Sequence, residues 1–287
     1  MRIINLYSKL QAAGEAGQKG YAPYETDPEL RPLARHARNW EMDVESAREW
    51  LASPEALAQR ESARRYLEQA PAIVHRVEAA FGRELPGTLI LAPSYDEFDG
   101  FARYELGEHT VLLGIDYPGS DLDYLKALTA HELSHVYRDH APEVWRHLGK
   151  PLSEISRREY LDASSAQEHL VSEGLATLFS QLLFPEIPPV VHHYYDEAEW
   201  RWVEQNHDLI HRSLIECLND DANVWSYYSD SRVAPGSPSR TQYYWAARVL
   251  SERIASIEDP SKKLRALVEL HERPASHFNE FSGRSGS

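Results

Sequence analysis

The sequence has 287 residues, of which 42% are hydrophobic and 26% charged, and its formal net charge is −15. This composition is ordinary for a folded protein, and the length allows one large domain or a close pair of domains. The acidic balance argues against a surface that neutralises phosphates, so we expect no nucleic-acid partner.

Cys217 is the only cysteine. A single cysteine cannot form an intrachain disulfide or a thiolate metal cluster, which suits a reducing compartment. No apolar run approaches the ~18 residues of a membrane span, and the first residues lack the apolar segment of a signal peptide. We therefore expect a cytoplasmic protein with no membrane partner.

The first part of the chain, residues 1–85, is predicted to be a helical region, with a possible short strand at Ile3–Leu6. Ser53 followed by Pro54 is typical of a helix start, with serine as the cap and proline at the first helical position. Pro71 is expected to divide the helical run that follows. Gly82 suits a helix end.

Short apolar stretches from Pro86 onward predict a small β-sheet. Thr88–Leu91 is a strand, and Phe101–Leu106 and His109–Ile115 flank Gly107-Glu108, which is a hairpin signal. Such a sheet can simply support a neighbouring helix. It can also hold an extended peptide along an exposed edge.

The next predicted helix contains His-Glu-x-x-His, with Ser120 or Asp121 as its cap and an end near Asp139-His140. Residues four apart share one face of a helix, so His131 and His135 can direct imidazole nitrogens at one ion. Glu132 points about 100° away from His131, which follows from ~3.6 residues per turn. It is suited to act as general base for a water, as in metalloproteases.

A third protein ligand is needed, with one coordination position left for water. A second helix, predicted from about Ser165 to Phe184, supplies Glu173 as the favoured candidate. His169, one turn earlier on the same face, is an alternative ligand or a partner of the carboxylate. Glu168 fits a capping box with Ser165. Gly174 is costly inside a helix, which indicates a tight contact beside Glu173.

The chain resembles the gluzincin-type metallopeptidases through His131, Glu132, His135 and the stretch Glu173–Ala176. It is most similar to a bacterial domain-of-unknown-function family of predicted zinc-dependent proteases, over roughly residues 86–255. The resemblance implies Zn²⁺ held by the two histidines and Glu173, with Glu132 catalytic. The 37 residues from 136 to 172 exceed the spacing in thermolysin-like enzymes, and a longer loop adds little closure entropy.

Residues 185–240 are interpreted as an aromatic-rich insertion that contains a helix from about Asp196 to Leu218. His192-His193 and the pair His207 and His211 are interpreted as ordinary structural residues. Residues 229–240 form a loop and a candidate flap.

A final helix starts near Thr241, where the resemblance implies a motif that contains tyrosine and glycine. The tyrosines are present, but Gln242 and Ala246 stand where glycines are expected. A tyrosine hydroxyl beside the zinc can donate to an oxyanion, with Tyr244 slightly favoured over Tyr243.

Together these patterns predict a mostly helical α+β protein. Its small β-sheet packs beside the His-Glu-x-x-His helix and a second ligand-bearing helix, in a zincin-like arrangement. Residues 86–273 would be the catalytic region and residues 274–287 a flexible tail. The predicted function is a zinc metallopeptidase acting on peptides or proteins. The alternatives are a zinc hydrolase for small molecules and a non-catalytic helical binding or scaffold protein.

Overall fold

The computed structural model describes residues 1–105, 108–140, 154–155, 166–219, 232–259 and 263. Within these residues the chain is mostly helical and carries one small β-sheet, which confirms the α+β class. Contacts divide the chain into two compact units, the first comprising Met1–Glu78 and Glu84–Glu132, the second Ala79–Arg83 and Leu133–Ser287. The predicted division at residue 86 stays a prediction, and the predicted tail lies outside the described residues.

The first unit contains a mixed four-stranded sheet in the order β1-β2-β4-β3. Its strands are β1 (Arg2–Asn5), β2 (Thr88–Ala92), β3 (Gly100–Glu105) and β4 (Glu108–Gly114). β1, β2 and β4 run parallel, with Ile90 between Ile4 and Leu112, while β3 is antiparallel to β4. Every residue of β2 is buried, as expected of an inner parallel strand covered on both faces. The predicted strands and hairpin are confirmed, and β1 and β3 are the edges.

The helices of the first unit are α1 (Leu6–Glu15), α2 (Ala22–Thr26), a 3₁₀ turn (Arg31–Leu33), α3 (Ala34–Asn39), α4 (Val44–Leu51) and α5 (Pro54–Phe81), followed after the sheet by the first part of α6 (Leu122–Asp139). Side chains of α1 to α4 and of the strands form one apolar core. Leu10, Tyr24, Leu30 and Met42 are among the buried side chains that pack with strand residue Ile90. Each such side chain contributes roughly 1.5–3 kcal/mol by leaving water.

Helix α5 begins and ends where the sequence predicts, but it is not divided. Ser53 Oγ accepts a hydrogen bond from the Ala56 amide at 3.1 Å, and Gly82 adopts a φ of 68° just after the helix ends. Pro71 lies inside the continuous helix, so the predicted break was wrong. Buried residues on both sides of the proline, including Tyr66 and Val77, hold the helix together despite the lost backbone hydrogen bond.

Helix α6, which carries the His-Glu-x-x-His motif, is anchored near its start and its middle. Asp121 Oδ1 accepts a hydrogen bond from the Tyr124 amide at 2.8 Å, so Asp121 caps the helix. Ser120 Oγ instead donates to the Tyr117 carbonyl. Within the first unit, the buried Tyr66 hydroxyl lies 2.5 Å from Thr129 Oγ1. The helix ends at Asp139, as predicted.

The second unit contains α7 (Ala166–Leu183), α8 (Pro189–His192), α9 (Glu197–Gln205), α10 (His207–Asn219) and α11 (Thr241–Ile254). Instead of the single helix predicted from Asp196 to Leu218 there are two, separated at Asn206, whose φ is −114°. Asn206 Nδ2 donates to the Trp202 carbonyl at 2.8 Å, a local bond of the kind that competes with helix continuation. In the part of the chain that the structure describes, no helix is long and apolar enough to span a membrane.

Aromatic stacking holds the end of α5 within the second unit. The Phe81 ring lies parallel to those of Tyr137 and Phe179, with centroid distances of 3.7 and 4.4 Å. The Arg83 guanidinium covers the Tyr137 ring at 4.4 Å. This stack connects the last turn of α6 with α7, the two helices from which candidate metal ligands come.

Candidate metal centre

Helix α6 carries the three motif residues His131, Glu132 and His135 in one continuous stretch of helix. His131 and Glu132 are 3% and 6% exposed, and the His135 side chain is 14% exposed. Since the helix is continuous from Leu122 to Asp139, His131 and His135 lie one turn apart on one face. Burial reduces competition from water for any ion that they hold.

The structure brings Glu173 to the two histidines. One ligand atom from each of His131, His135 and Glu173 lies within 4.8 Å of the other two. His135 Nε2 and Glu173 Oε2 are 3.6 Å apart, too far for a hydrogen bond. Ligands ~2.0–2.1 Å from a tetrahedral Zn²⁺ are roughly 3.3 Å from one another. The 3.6 Å between His135 Nε2 and Glu173 Oε2 is therefore close to the separation of two ligands on a shared cation.

Close packing of α7 against α11 sets the position of Glu173. A Cβ added to Gly174 would lie 2.6 Å from the Cβ of Ala246 and 2.8 Å from its carbonyl carbon. The tight contact predicted from Gly174 is therefore confirmed, and its partner is α11. The family resemblance implies a glycine at position 246, and the chain has Ala246. The missing side chain that lets α7 and α11 approach closely is therefore on α7, at Gly174.

His169 lies beside the candidate carboxylate ligand. Its Nδ1 is 3.9 Å from Glu173 Oε1, whereas Oε2 faces His135. Burial lowers the pKa of His169 more than the Glu173 charge raises it, so its imidazole is neutral near pH ~7. The two carboxylate oxygens thus face different histidines, and His169 lies next to the three-residue group rather than in it.

Ser172 is a site neighbour that the sequence did not single out. Its Oγ is 3.0 Å from His135 Nδ1, within hydrogen-bonding distance. The only sequence signal for Ser172 is its position immediately before Glu173. In the structure, these two adjacent residues of α7 face the two different ring nitrogens of His135.

The two candidate tyrosines of α11 have different surroundings. Tyr243 meets the His169 ring in a T-shaped contact with 6.1 Å between centroids. The Tyr244 hydroxyl accepts a hydrogen bond from Arg248 at 3.2 Å. Its ring packs edge-on against an aromatic cluster of His193, Trp200 and His207. The contacts thus connect Tyr243 with the neighbour of Glu173, and Tyr244 with the aromatic insertion.

The other paired histidines make contacts inside the second unit. His192 is buried, with Nδ1 2.9 Å from Ser180 Oγ and Nε2 3.2 Å from the Phe184 carbonyl oxygen. His211 Nδ1 accepts from Trp245 Nε1 at 3.0 Å. These contacts agree with the structural interpretation.

The capping pair Ser165 and Glu168 has no described side chains, and residues 229–231 of the predicted flap also lie outside the described residues.

Comparison of the chain with models of protein families, with curated proteins and with solved structures finds no match. The resemblance to gluzincin-type metallopeptidases therefore rests on the motif residues of α6 and α7. The chemical interpretation of the site has to come from its own geometry.

Proposed function

We propose that this protein is a zinc-dependent metallopeptidase, with His131, His135 and Glu173 as metal ligands and Glu132 as general base. One observation carries the proposal, namely the convergence of the three ligand atoms within 4.8 Å although Glu173 comes from a separate helix. An accidental His-Glu-x-x-His sequence predicts no such third partner.

The donor set favours zinc over magnesium and calcium. Two imidazoles and one carboxylate, with a fourth position left for water, are the ligands of many catalytic zinc sites. Magnesium and calcium favour sites built mainly from oxygen ligands. The group of two nitrogens and one carboxylate oxygen among the described residues suits zinc better.

The chemistry divides between the cation and the chain. A cation held by His131, His135 and Glu173 would supply Lewis-acid chemistry, which lowers the pKa of a bound water toward ~7 when the cation is zinc. Glu132 accepts a proton from the attacking water on its carboxylate and passes it to the amide nitrogen that leaves. A hydroxyl from Tyr243 or Tyr244 donates to the carbonyl oxygen as negative charge develops there.

An extended peptide is the substrate that this proposal favours. The sheet order leaves β1 and β3 at the edges, and an edge strand can add a peptide by backbone hydrogen bonds.

The test is the metal content of protein purified without added metal. We expect about one zinc per chain in the wild type and a loss of most of it in Glu173→Ala, as for a site with three protein ligands. His211→Ala is the matched control, because it removes a histidine that bonds Trp245, and it should retain zinc.

Digestion of a peptide library then tests the reaction. Cleavage that follows zinc content supports the peptidase. Stoichiometric zinc without cleavage would contradict it and favour a hydrolase for small molecules. A folded wild type without zinc would indicate a binding or scaffold protein.

A further inference from the structure

The two ring nitrogens of His135 face two adjacent residues of α7. Nδ1 lies 3.0 Å from Ser172 Oγ, and Nε2 lies 3.6 Å from Glu173 Oε2. A neutral imidazole carries one proton, so only one of these nitrogens can offer a lone pair to a cation. The partner of the other nitrogen decides which one does so.

We propose that Ser172 is a positioning residue that holds the His135 proton on Nδ1 and leaves the Nε2 lone pair directed at the metal position. The inference rests on the proposed metal site and deepens it. In this arrangement Nδ1–H donates to Ser172 Oγ. This hydrogen bond also fixes the rotation of the His135 ring, since the hydrogen bond and the metal position lie on opposite sides of the ring.

The alternative tautomer explains why a hydroxyl is needed there. A proton on Nε2 would face the Glu173 carboxylate, which attracts it, and would occupy the lone pair required for the metal. In that state Ser172 Oγ would have to donate to Nδ1, whereas with the Nε2 lone pair free it accepts from Nδ1–H. Hydrogen bonds to the second nitrogen of metal-binding histidines commonly set tautomer and orientation, and their loss reduces metal affinity ~10–100-fold.

A second serine of α7 faces a histidine of α8, away from the three candidate ligands. Ser180 Oγ is 2.9 Å from His192 Nδ1, and His192 Nε2 faces the Phe184 carbonyl oxygen. Ser180 Oγ also donates to the Thr177 carbonyl oxygen at 2.8 Å, so its single proton serves either that carbonyl or His192 Nδ1. Ser180 is therefore a matched control, because its removal takes a hydroxyl away from a histidine that is not a candidate metal ligand.

Two measurements test the proposal, namely the tautomer of each histidine in metal-free protein by ¹⁵N NMR and the zinc dissociation constant by chelator competition. For Ser172→Ala we expect zinc binding weakened ~10–100-fold and a shift of His135 toward the Nε2–H form. Ser180→Ala should change His192 and leave zinc affinity as in the wild type. The pair Ser172→Thr and Ser172→Val provides a second comparison of zinc affinity and tautomer. Threonine and valine have nearly the same shape, and only threonine carries a hydroxyl.

Equal zinc affinity in the threonine and valine variants would overturn the proposal, and so would an unchanged His135 tautomer in the valine variant. If the wild type binds no zinc, the proposed function fails. The tautomer of His135 in the metal-free protein still decides the role of Ser172. Loss of the Nδ1–H form in Ser172→Val supports this role, and persistence of the Nδ1–H form in that variant refutes it.

Discussion

Gly174 of α7 lies against Ala246 of α11 so closely that a methyl group on Gly174 would come within 2.6 Å of the Ala246 Cβ. The backbone of α11 is equally near, with the Ala247 nitrogen 3.0 Å from the added carbon. Because Gly174 directly follows Glu173, this contact determines where the candidate carboxylate ligand lies.

Gly174→Ala should therefore lower the melting temperature. The added methyl group costs about 1–3 kcal/mol by overpacking, which exceeds the ~1 kcal/mol gained in helix propensity. Thermal unfolding followed by circular dichroism measures the net effect. Gly14→Ala is the control, because its new Cβ would lie 3.8 Å from Arg48 Cβ, and that variant should be slightly more stable. Equal melting of Gly174→Ala and wild type would show that the contact yields easily.

Asp116 should make the first unit less stable as pH rises. Its carboxylate accepts from the Ser94 amide at 2.7 Å and from Trp50 Nε1 at 2.9 Å. Burial nevertheless raises its pKa above the ordinary value. A raised folded-state pKa means that the contribution is fully present below the unfolded pKa of ~3.9 and is lost as pH rises through the folded value.

The measurement is urea unfolding of wild type and Asp116→Asn between about pH 2 and pH 7, a range that brackets the ordinary carboxyl pKa of ~3.9 and extends to lower and higher values. The stability of wild type relative to the variant should decline with rising pH. Asp27→Asn should show the opposite sign, because a hydrogen bond from Lys9 lowers the pKa of Asp27. A pH-independent difference for Asp116→Asn would contradict the assignment.

Pro71→Ala should stabilise the protein. Pro71 is exposed in the middle of α5, where alanine restores the backbone hydrogen bond to the Leu67 carbonyl. Proline in a helix interior costs about 3 kcal/mol, and its restriction of the unfolded chain returns about 1 kcal/mol of that. The melting temperature should rise by several degrees. Pro54→Ala, at the first helical position, should change little, and a lower melting temperature for Pro71→Ala would refute the explanation.

Glu132→Gln should keep its zinc and lose hydrolysis. The amide is nearly the same size but cannot accept the proton from water, so activity should fall ~10²–10⁴-fold. Metal analysis and digestion of a peptide library, run on one preparation, separate the two effects. Glu204→Gln, on the exposed side of α9, is the control for the substitution itself. Full activity in Glu132→Gln would eliminate the proposed general base.

Tyr243→Phe and Tyr244→Phe should separate an oxyanion donor from a packing residue. Since Tyr243 contacts the His169 ring beside Glu173, we expect its loss to lower kcat ~10²–10³-fold with zinc retained. Loss of the Tyr244 hydroxyl removes the acceptor for Arg248 and should mainly reduce thermal stability. The reverse pattern in the two variants would identify Tyr244 as the donor, which the sequence had favoured.

Local features of this protein follow from its sequence because they depend on residues within one or two turns of the chain. The start of α5 at Pro54 and the shared face of His131 and His135 belong to this class. The hairpin of β3 and β4 does as well, since its strands are neighbours along the chain. For the cap of α6 the sequence left Ser120 and Asp121 open, and the structure selects Asp121.

Tertiary packing alone decided the features that join distant residues. The 3.6 Å approach of Glu173 to His135 depends on how α7 packs against its neighbours, and the Ser172 contact depends on the same placement. Packing also overruled a local rule, because buried side chains along α5 keep the helix continuous through Pro71. Helix periodicity determines the direction of a side chain from its own axis, whereas the distance between two axes depends on the volumes of the side chains between them.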